Sequence, residues 1–275
     1  MNINQKISIS FFLIIFLLVL PSSSILTSGV FAQNIDFPPQ IVPRTVLVEL
    51  FAQEGCPTCP TAEFCLEDLA WEYGTTKLIL VQEHLWGDGY DTPETNARYD
   101  WYVGDGKRGT PDVFIDGLTK RFQGLSCDCV EGNYECYKDA IDEELTRPSL
   151  LELSAVKTLN PNPLPQGERE EEKVANIIIE GTVKNTSNTP LKDLAVCGMV
   201  GKERDESGLY FYIQDIFPFQ NMPPLLPGAT FNFKFVPEIS LTPESEIDDE
   251  KEILHLAIFI QNTITKEILQ ALYIE

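Results

Sequence analysis

Read for the spacing of its apolar and polar positions, the chain changes character once, near residue 149. Before that point apolar runs alternate with helical spacing. Residues 45–51 form an apolar strand pattern broken only by Glu49, and from about Cys59 the side chains of Phe64, Leu66, Leu69 and Trp71 fall on overlapping helical faces until Gly74 ends the run. Residues 77–84 are nearly unbroken in apolar character up to Gln82, as expected of a parallel strand buried on both faces. A helix is predicted around residues 92–101, a hairpin over residues 112–124 with its turn at Asp116-Gly117, and a last helix through Leu145, capped by Asn133 and stopped before Pro148. A strand, a helix and a parallel strand form a right-handed unit, so the loops after Phe51 and after His84 should leave one edge of the sheet.

After residue 149 the pattern reads as strands without helices: residues 150–159, 174–185, 191–200, 209–217, 230–236, 253–261 and 267–274, separated by Pro, Gly and Asn turn signals. Seven short strands in succession predict an antiparallel sandwich of immunoglobulin or fibronectin III type. The expected fold class is therefore an α/β domain over residues 33–148 followed by an all-β sandwich over residues 149–275. Ahead of both, Lys6, an apolar stretch over residues 7–20 and the small-residue pattern Val30-Phe31-Ala32 predict a secretory signal over residues 1–32, cleaved after Ala32; the alternative is an uncleaved N-terminal anchor. Both readings put the body of the protein outside the cytoplasm, secreted or held at the outer face of the membrane.

Composition narrows the partners. A hydrophobic content of 43% over 275 residues is enough for a full core, and a formal charge of −22 argues against nucleic acid and against anionic lipid surfaces. Membrane contact is expected only through an uncleaved N-terminal segment, and no cofactor is indicated. The acidic run over residues 168–172 reads as a solvated loop, and Asn185-Thr-Ser187 matches a glycosylation acceptor.

The chemistry concentrates in Gly55-Cys56-Pro-Thr-Cys59-Pro60, between the first strand and the first helix. Two thiols at a helix start sit beside backbone N–H groups that lack intrahelical partners, and such sites lower a cysteine pKa from about 8.5 to roughly 3.5–7.5. Cys56 is thus the expected nucleophile, and Cys59, one turn in, the thiol that resolves a mixed disulfide. Seven cysteines in an exported chain should be mostly paired. Cys197, in an apolar run, reads as a buried free thiol, which leaves Cys65, Cys127, Cys129 and Cys136 as two structural disulfides of open connectivity; a direct Cys127–Cys129 bridge would be strained. His84, at the end of the second strand, is either an ordinary strand-end residue or an auxiliary to Cys56. No metal is expected at Cys-x-x-Cys alone, because a second pair of suitable spacing is missing; a copper site built from Cys56, Cys59 and His84, in the manner of Sco-type chaperones, is the alternative.

Taken together, the strand, the Cys-x-x-Cys at a helix start, the second strand, the crossover, Gly109-Thr110-Pro111 before a hairpin and the closing helix resemble the thioredoxin fold over roughly residues 42–147. More narrowly, Val48-Glu-Leu-Phe51 before Gly55-Cys56, with His84-Leu-Trp86 after the second strand, is similar to a secreted prokaryotic thioredoxin-like family of unestablished substrate. The resemblance implies a cis Pro111 facing Cys56, with Thr110 presenting its backbone to a substrate strand. It also implies a thiol–disulfide oxidoreductase acting on protein thiols and disulfides with an unidentified redox partner. A copper-delivery protein and a disulfide-stapled interaction module are the competing expectations. Where thioredoxin itself buries a carboxylate upstream of its cysteines, Glu49 stands one residue off, so strand alternation turns it to the opposite face unless a bulge intervenes.

Overall fold

Every residue of Val46–Ala52 is buried, and this stretch is the strand, β1, around which the first half of the chain is laid. The structure is a computed structural model that describes residues 40–124, 126, 134–159, 173–203, 210–241 and 254–274. The expected signal segment, Cys127, Cys129, the Asn133 cap and the acidic run over residues 168–172 lie outside the described residues. Helix α1 (Cys59–Tyr73) follows β1, then β2 (Leu78–His84), α2 (Pro93–Val103), the hairpin β3 (Asp112–Ile115) and β4 (Lys120–Gln123), and α3 (Glu135–Leu145). Thr92 caps α2: its hydroxyl accepts the Thr95 N–H while the Thr95 hydroxyl accepts the Thr92 N–H, which closes two orphan donors at once.

Among the described residues the regular elements of the second half are all strands. They are β5 (Leu151–Leu159), β6 (Lys173–Asn185), β7 (Leu194–Glu203), β8 (Tyr210–Ile216), β9 (Gln220–Asn221), β10 (Thr230–Phe235), β11 (Glu238–Leu241), β12 (Leu254–Asn262) and β13 (Ile268–Ile274).

These strands do not build a sandwich of their own. Residues 210–212 of β8 lie parallel to Leu80, Val81 and Gln82 of β2, joining strands from both halves into one mixed nine-stranded sheet of order β13-β12-β7-β8-β2-β1-β3-β4, with β9 paired to β7. The fold class is thus corrected. The described residues are predominantly β, with three short helices, and form neither an α/β thioredoxin-like layer nor such a layer followed by an immunoglobulin or fibronectin III-like sandwich. The resemblance to a thioredoxin-like family does not extend to this architecture. The physical reason is the outer edge of β2, whose backbone groups need a partner; β8 supplies it from 130 residues further along the chain, a pairing that local periodicity does not encode.

The large sheet also curls back on itself. Ile268 N–H on β13 donates to Asp116 O beyond β3 (3.0 Å), Gln270 Oε1 accepts the Thr45 N–H (2.9 Å), and Arg44 Nη2 donates to Ile268 O (2.5 Å). Gly117 is required at this junction, since a Cβ there would lie 2.0 Å from Lys266 O. The concave face encloses one apolar cluster with members from both halves, including Leu47, Ile79, Val81, Cys197, Phe211 and Phe259. On the outer face α1 and α3 cover Val46, Val48 and Leu50, and the small sheet of β5, β6, β10 and β11 covers β7 and β12 through Ile179, Phe233, Phe235, Val196 and Ile258.

A buried ionic cluster fills the end of the curl under α2. Arg98 Nε donates to Glu49 of β1, Arg98 Nη1 to Gln261 Oε1 of β12 (3.2 Å) and Arg98 Nη2 to the Tyr102 hydroxyl (2.7 Å), which itself donates to Glu49 Oε2 (2.6 Å). The Arg98 guanidinium lies over the rings of Tyr102 and Phe259, 4.8 and 5.0 Å from their centroids. Glu83 of β2 is fully buried, 3.8 Å from Arg98 Nε; burial first and the Glu49 carboxylate second hold its carboxyl well above the ordinary range, with Arg98 opposing them. Its surroundings thus favour the neutral carboxyl, beside the contact between Glu49 and Arg98.

Asn185 of the glycosylation-type tripeptide is fully buried. Its amide donates to Thr189 O and Leu225 O, both at 2.8 Å, so the side chain is used to shape a turn and is closed to modification.

Two outcomes follow from the ionic cluster. Arg98→Met strands the Glu49 carboxylate and should lower unfolding free energy by roughly 3–5 kcal/mol in guanidinium titrations. Glu83→Gln should match wild type near pH 4 and exceed it at pH 8. The wild-type folded state keeps a proton that the unfolded chain releases above about pH 4.3, so wild-type stability falls as pH rises, with a slope of at most about 1.4 kcal/mol per pH unit.

Candidate functional site

Three residues, Gln53, Glu54 and Gly55, separate the end of β1 from the first cysteine of the motif. The Cys56 N–H donates to Gln53 O (3.1 Å), closing a Gln53–Cys56 turn whose third residue, Gly55, has φ of 77°. That conformation is costly for a side chain bearing a Cβ, which accounts for glycine immediately before the thiol. Thr58 sits at the N-cap of α1 but makes no side-chain capping bond, and Pro60 starts the helix without needing an N–H. The free amide of Cys59 instead donates to Cys56 Sγ at 3.1 Å, and the Thr58 hydroxyl lies 3.7 Å from the same sulfur. Cys56 and Cys59 form a disulfide. Cys56 is half-buried, whereas Cys59 is 2% exposed and packs among Leu50, Ala62 and Leu66. The pair thus has an outer sulfur open to a partner and an inner one shielded by the core.

Thr110-Pro111 stands at the same end of the sheet. Phe51 of β1 pairs with Asp112 of β3, which sets Pro111 level with the residues that lead into the Cys56 turn; the Thr110–Pro111 peptide is cis. The flanks of this dipeptide are held on both sides. The Tyr99 hydroxyl accepts the Gly109 N–H (3.1 Å) and donates to Asp112 Oδ2 (2.8 Å), Arg121 Nη2 donates to the same carboxylate (2.6 Å), and Pro111 O accepts the Gly124 N–H (2.7 Å). Burial pushes the Tyr99 phenol up to about 12 and also raises the Asp112 carboxyl, against the pull of Arg121. Thr110 is half-buried and Pro111 buried.

His84 is opposite Ala52 in the β1–β2 register. Its Nδ1 lies 2.5 Å from Asp88 Oδ2 and its ring packs between Tyr90 and Tyr212, with centroids 5.3 and 5.0 Å away. Nε2 is buried and meets no hydrogen-bond partner among the described residues. The structure gives His84 to Asp88 rather than to the cysteines, and among the described residues no three of His, Cys, Asp and Glu gather as a ligand set. Cys65, on α1, and Cys136, on α3, are each disulfide-bonded, while Cys127 and Cys129 are outside the described residues. Glu49 faces Arg98 on the side of β1 away from α1.

Three participants escape sequence reasoning. Asp88, Tyr212 and Tyr99 act on this end of the sheet through contacts spanning 34, 128 and 10 residues. Gly87-Asp88-Gly89 signals a turn but not what its carboxylate holds. The aromatics of the crossover divide: Tyr99 and Tyr102 are core, whereas Trp86 (41% exposed) and Tyr90 (56% exposed) face solvent in the loop after β2.

No family model matches the chain, and no curated protein matches it. Among solved structures it is similar to HBP35 of Porphyromonas gingivalis, at 14% identity with a TM-score of 0.60, over 85% of this chain and 75% of that one; this similarity speaks for the mainly β architecture alone. Similarities to Bacteroides uniformis beta-glucuronidase (18% identity, 43% of this chain, 12% of that one, TM-score 0.33) and to a Trichoderma reesei beta-D-glucoside glucohydrolase (10%, 50%, 22%, 0.24) are too low to carry any argument. What fold and site define together is a mainly β protein that presents a Cys-x-x-Cys disulfide beyond the end of an interior strand of a mixed sheet.

Cys197 is fully buried in the concave cluster, and burial pushes its thiol up to about 12. After mild reduction of the native protein, iodoacetamide at pH 8 should label Cys56 and leave Cys197 unmodified until denaturant is added, as read by peptide mass mapping.

Proposed function

We propose that this chain is an extracytoplasmic thiol–disulfide oxidoreductase acting on protein thiols and disulfides, with Cys56 as the attacking thiol, Cys59 as the resolving thiol and Thr110-Pro111 shaping the substrate groove. The observation that carries the reading is the asymmetry of the pair: a partly buried outer cysteine whose sulfur accepts the first free amide of α1, joined to an inner cysteine that is 2% exposed. In the reductive direction the Cys56 thiolate attacks one sulfur of a substrate disulfide, the substrate S–S bond breaks, and the departing thiolate takes a proton from solvent. The Cys59 thiolate then attacks Cys56 Sγ in the mixed disulfide and expels the second substrate thiolate. The substrate gains two electrons and two protons, and Cys56–Cys59 returns to the disulfide. A dithiol redox partner restores the reduced pair; the same steps in reverse oxidise a substrate.

The turn at Gln53–Cys56 and the fixed Gly109–Asp112 segment support this reading, because a nucleophile needs an approach path of constant shape. Insulin reduction by dithiothreitol and reoxidation of a reduced test protein should both be accelerated by the full chain. Cys56→Ser should abolish the acceleration, and Cys59→Ser should accumulate mixed disulfides visible on non-reducing gels. Wild-type behaviour of both variants overturns the proposal and leaves a stapled interaction module.

A further inference from the structure

The carboxylate of Asp88 divides its work between two loops, one oxygen to each. Oδ1 accepts the N–H groups of Tyr90 (2.9 Å) and Asp91 (3.1 Å), which are neighbours in its own loop. Oδ2 accepts the Glu54 N–H (2.8 Å), in the turn that carries Cys56, and meets His84 Nδ1 at 2.5 Å. The side chain is 2% exposed, and His84, 8% exposed at its side chain, is itself wedged between Tyr90 and Tyr212. Burial opposes ionisation of Asp88, but the bonds from His84, Glu54 and Tyr90 outweigh it and hold the carboxyl below its usual range.

We infer that Asp88 is a positioning residue for Cys56, its Oδ2 fixing the Gln53–Cys56 turn through the Glu54 N–H while His84 holds Oδ2 in place. The inference rests on the proposed role of Cys56 as the attacking thiol and names the group that sets its geometry. The Glu54 amide is the second residue of a turn whose fourth residue is Cys56. Tying it down fixes where Cys56 Sγ lies relative to the Cys59 amide, whose bond to that sulfur stabilises the thiolate once the pair is reduced. The Asp88 carboxylate bonds to loop amides and to His84 while Cys56 Sγ bonds to the Cys59 amide and meets Thr58, so the influence of Asp88 on the thiol runs through backbone placement.

A nearby carboxylate has a second, opposite effect. As a bare negative charge it disfavours a thiolate, so removing it should ease ionisation of Cys56. The charged and titratable groups around it are His84 on β2, Glu54 in the turn, Asp91 and Tyr90 in its own loop, and Tyr212 on β8 behind His84. Positioning and bare charge therefore predict shifts of opposite sign.

The test is the pH profile of Cys56 alkylation by iodoacetamide in the reduced full chain, measured for wild type, Asp88→Asn and Asp88→Ala. Asp88→Asn can keep an acceptor toward Tyr90 and Asp91 while placing a donor toward Glu54 and His84. Positioning predicts a profile displaced to higher pH in both variants and a Cys56 rate at pH 7 lower by about threefold or more, the equivalent of half a pH unit. The reduction potential of the pair, titrated against glutathione, should become more negative in the same variants, because the reduced form has lost thiolate stabilisation. An unchanged profile, or one displaced to lower pH, overturns the inference. Alkylation reads the thiol directly, so its outcome holds whether or not the chain turns over substrate; absence of turnover by wild type instead counts against the oxidoreductase reading. Should Asp88→Ala lose its fold, judged by thermal unfolding, Asp88→Asn decides alone.

Discussion

One buried guanidinium sets the terms for the rest of the molecule. Arg98 reaches Glu49 on β1 and Gln261 on β12 from a single turn of α2, and so ties together strands that are 212 positions apart in the chain. A charge removed from water must find partners on every side, and the curl supplies them by bringing the far strands of the sheet round to the near ones. The apolar cluster behind it, with Leu47 and Phe259 in the same interior, adds area but no such directionality. Hydrophobic burial drives the curl, and the Arg98 bonds select its register.

That closure fixes where the cysteine turn can go. With β2 held between β1 and β8, and β1 also paired to β3, the end of β1 has strands on both sides and cannot fray. The turn that follows is short, bonded within itself and bonded again to Asp88, so the outer sulfur is delivered from a rigid base. Thr110-Pro111 is positioned by the same logic through Tyr99 of α2, the helix that also carries Arg98. One helix thus anchors both the interior of the curl and the rim of the candidate site.

How much of this the sequence discloses depends on the range of the interaction. The elements themselves were legible: apolar runs and breaks at Gly74, Asp116-Gly117 and Pro148 lie where strands and helices begin and end, and the Cys-x-x-Cys lies at a helix start as its spacing implies. Glu49 faces away from α1, as strand alternation required. The arrangement of the elements was not legible. A strand pattern states that a segment needs partners on its edges, not which ones, and both β8 against β2 and β13 against the Asp116 loop join residues more than 100 positions apart. The glycosylation-type tripeptide misled for the same reason: its Asn185 answers to Leu225, 40 residues away. Asp88 escaped notice because an acidic residue between two glycines looks like solvent-exposed turn until its carboxylate is seen to hold another loop.

The disposition of the cysteines follows from the same closure. If the pair exchanges disulfides as proposed, every accessible thiol is a competitor. Cys197 lies on β7 in the concave cluster, at 0% exposure, with its ionisation suppressed by burial. Cys65 and Cys136 are already bonded. Reactive sulfur among the described residues is thereby confined to Cys56 and Cys59, and of these only Cys56 reaches solvent. The curl that Arg98 completes both supports the turn presenting that cysteine and buries Cys197.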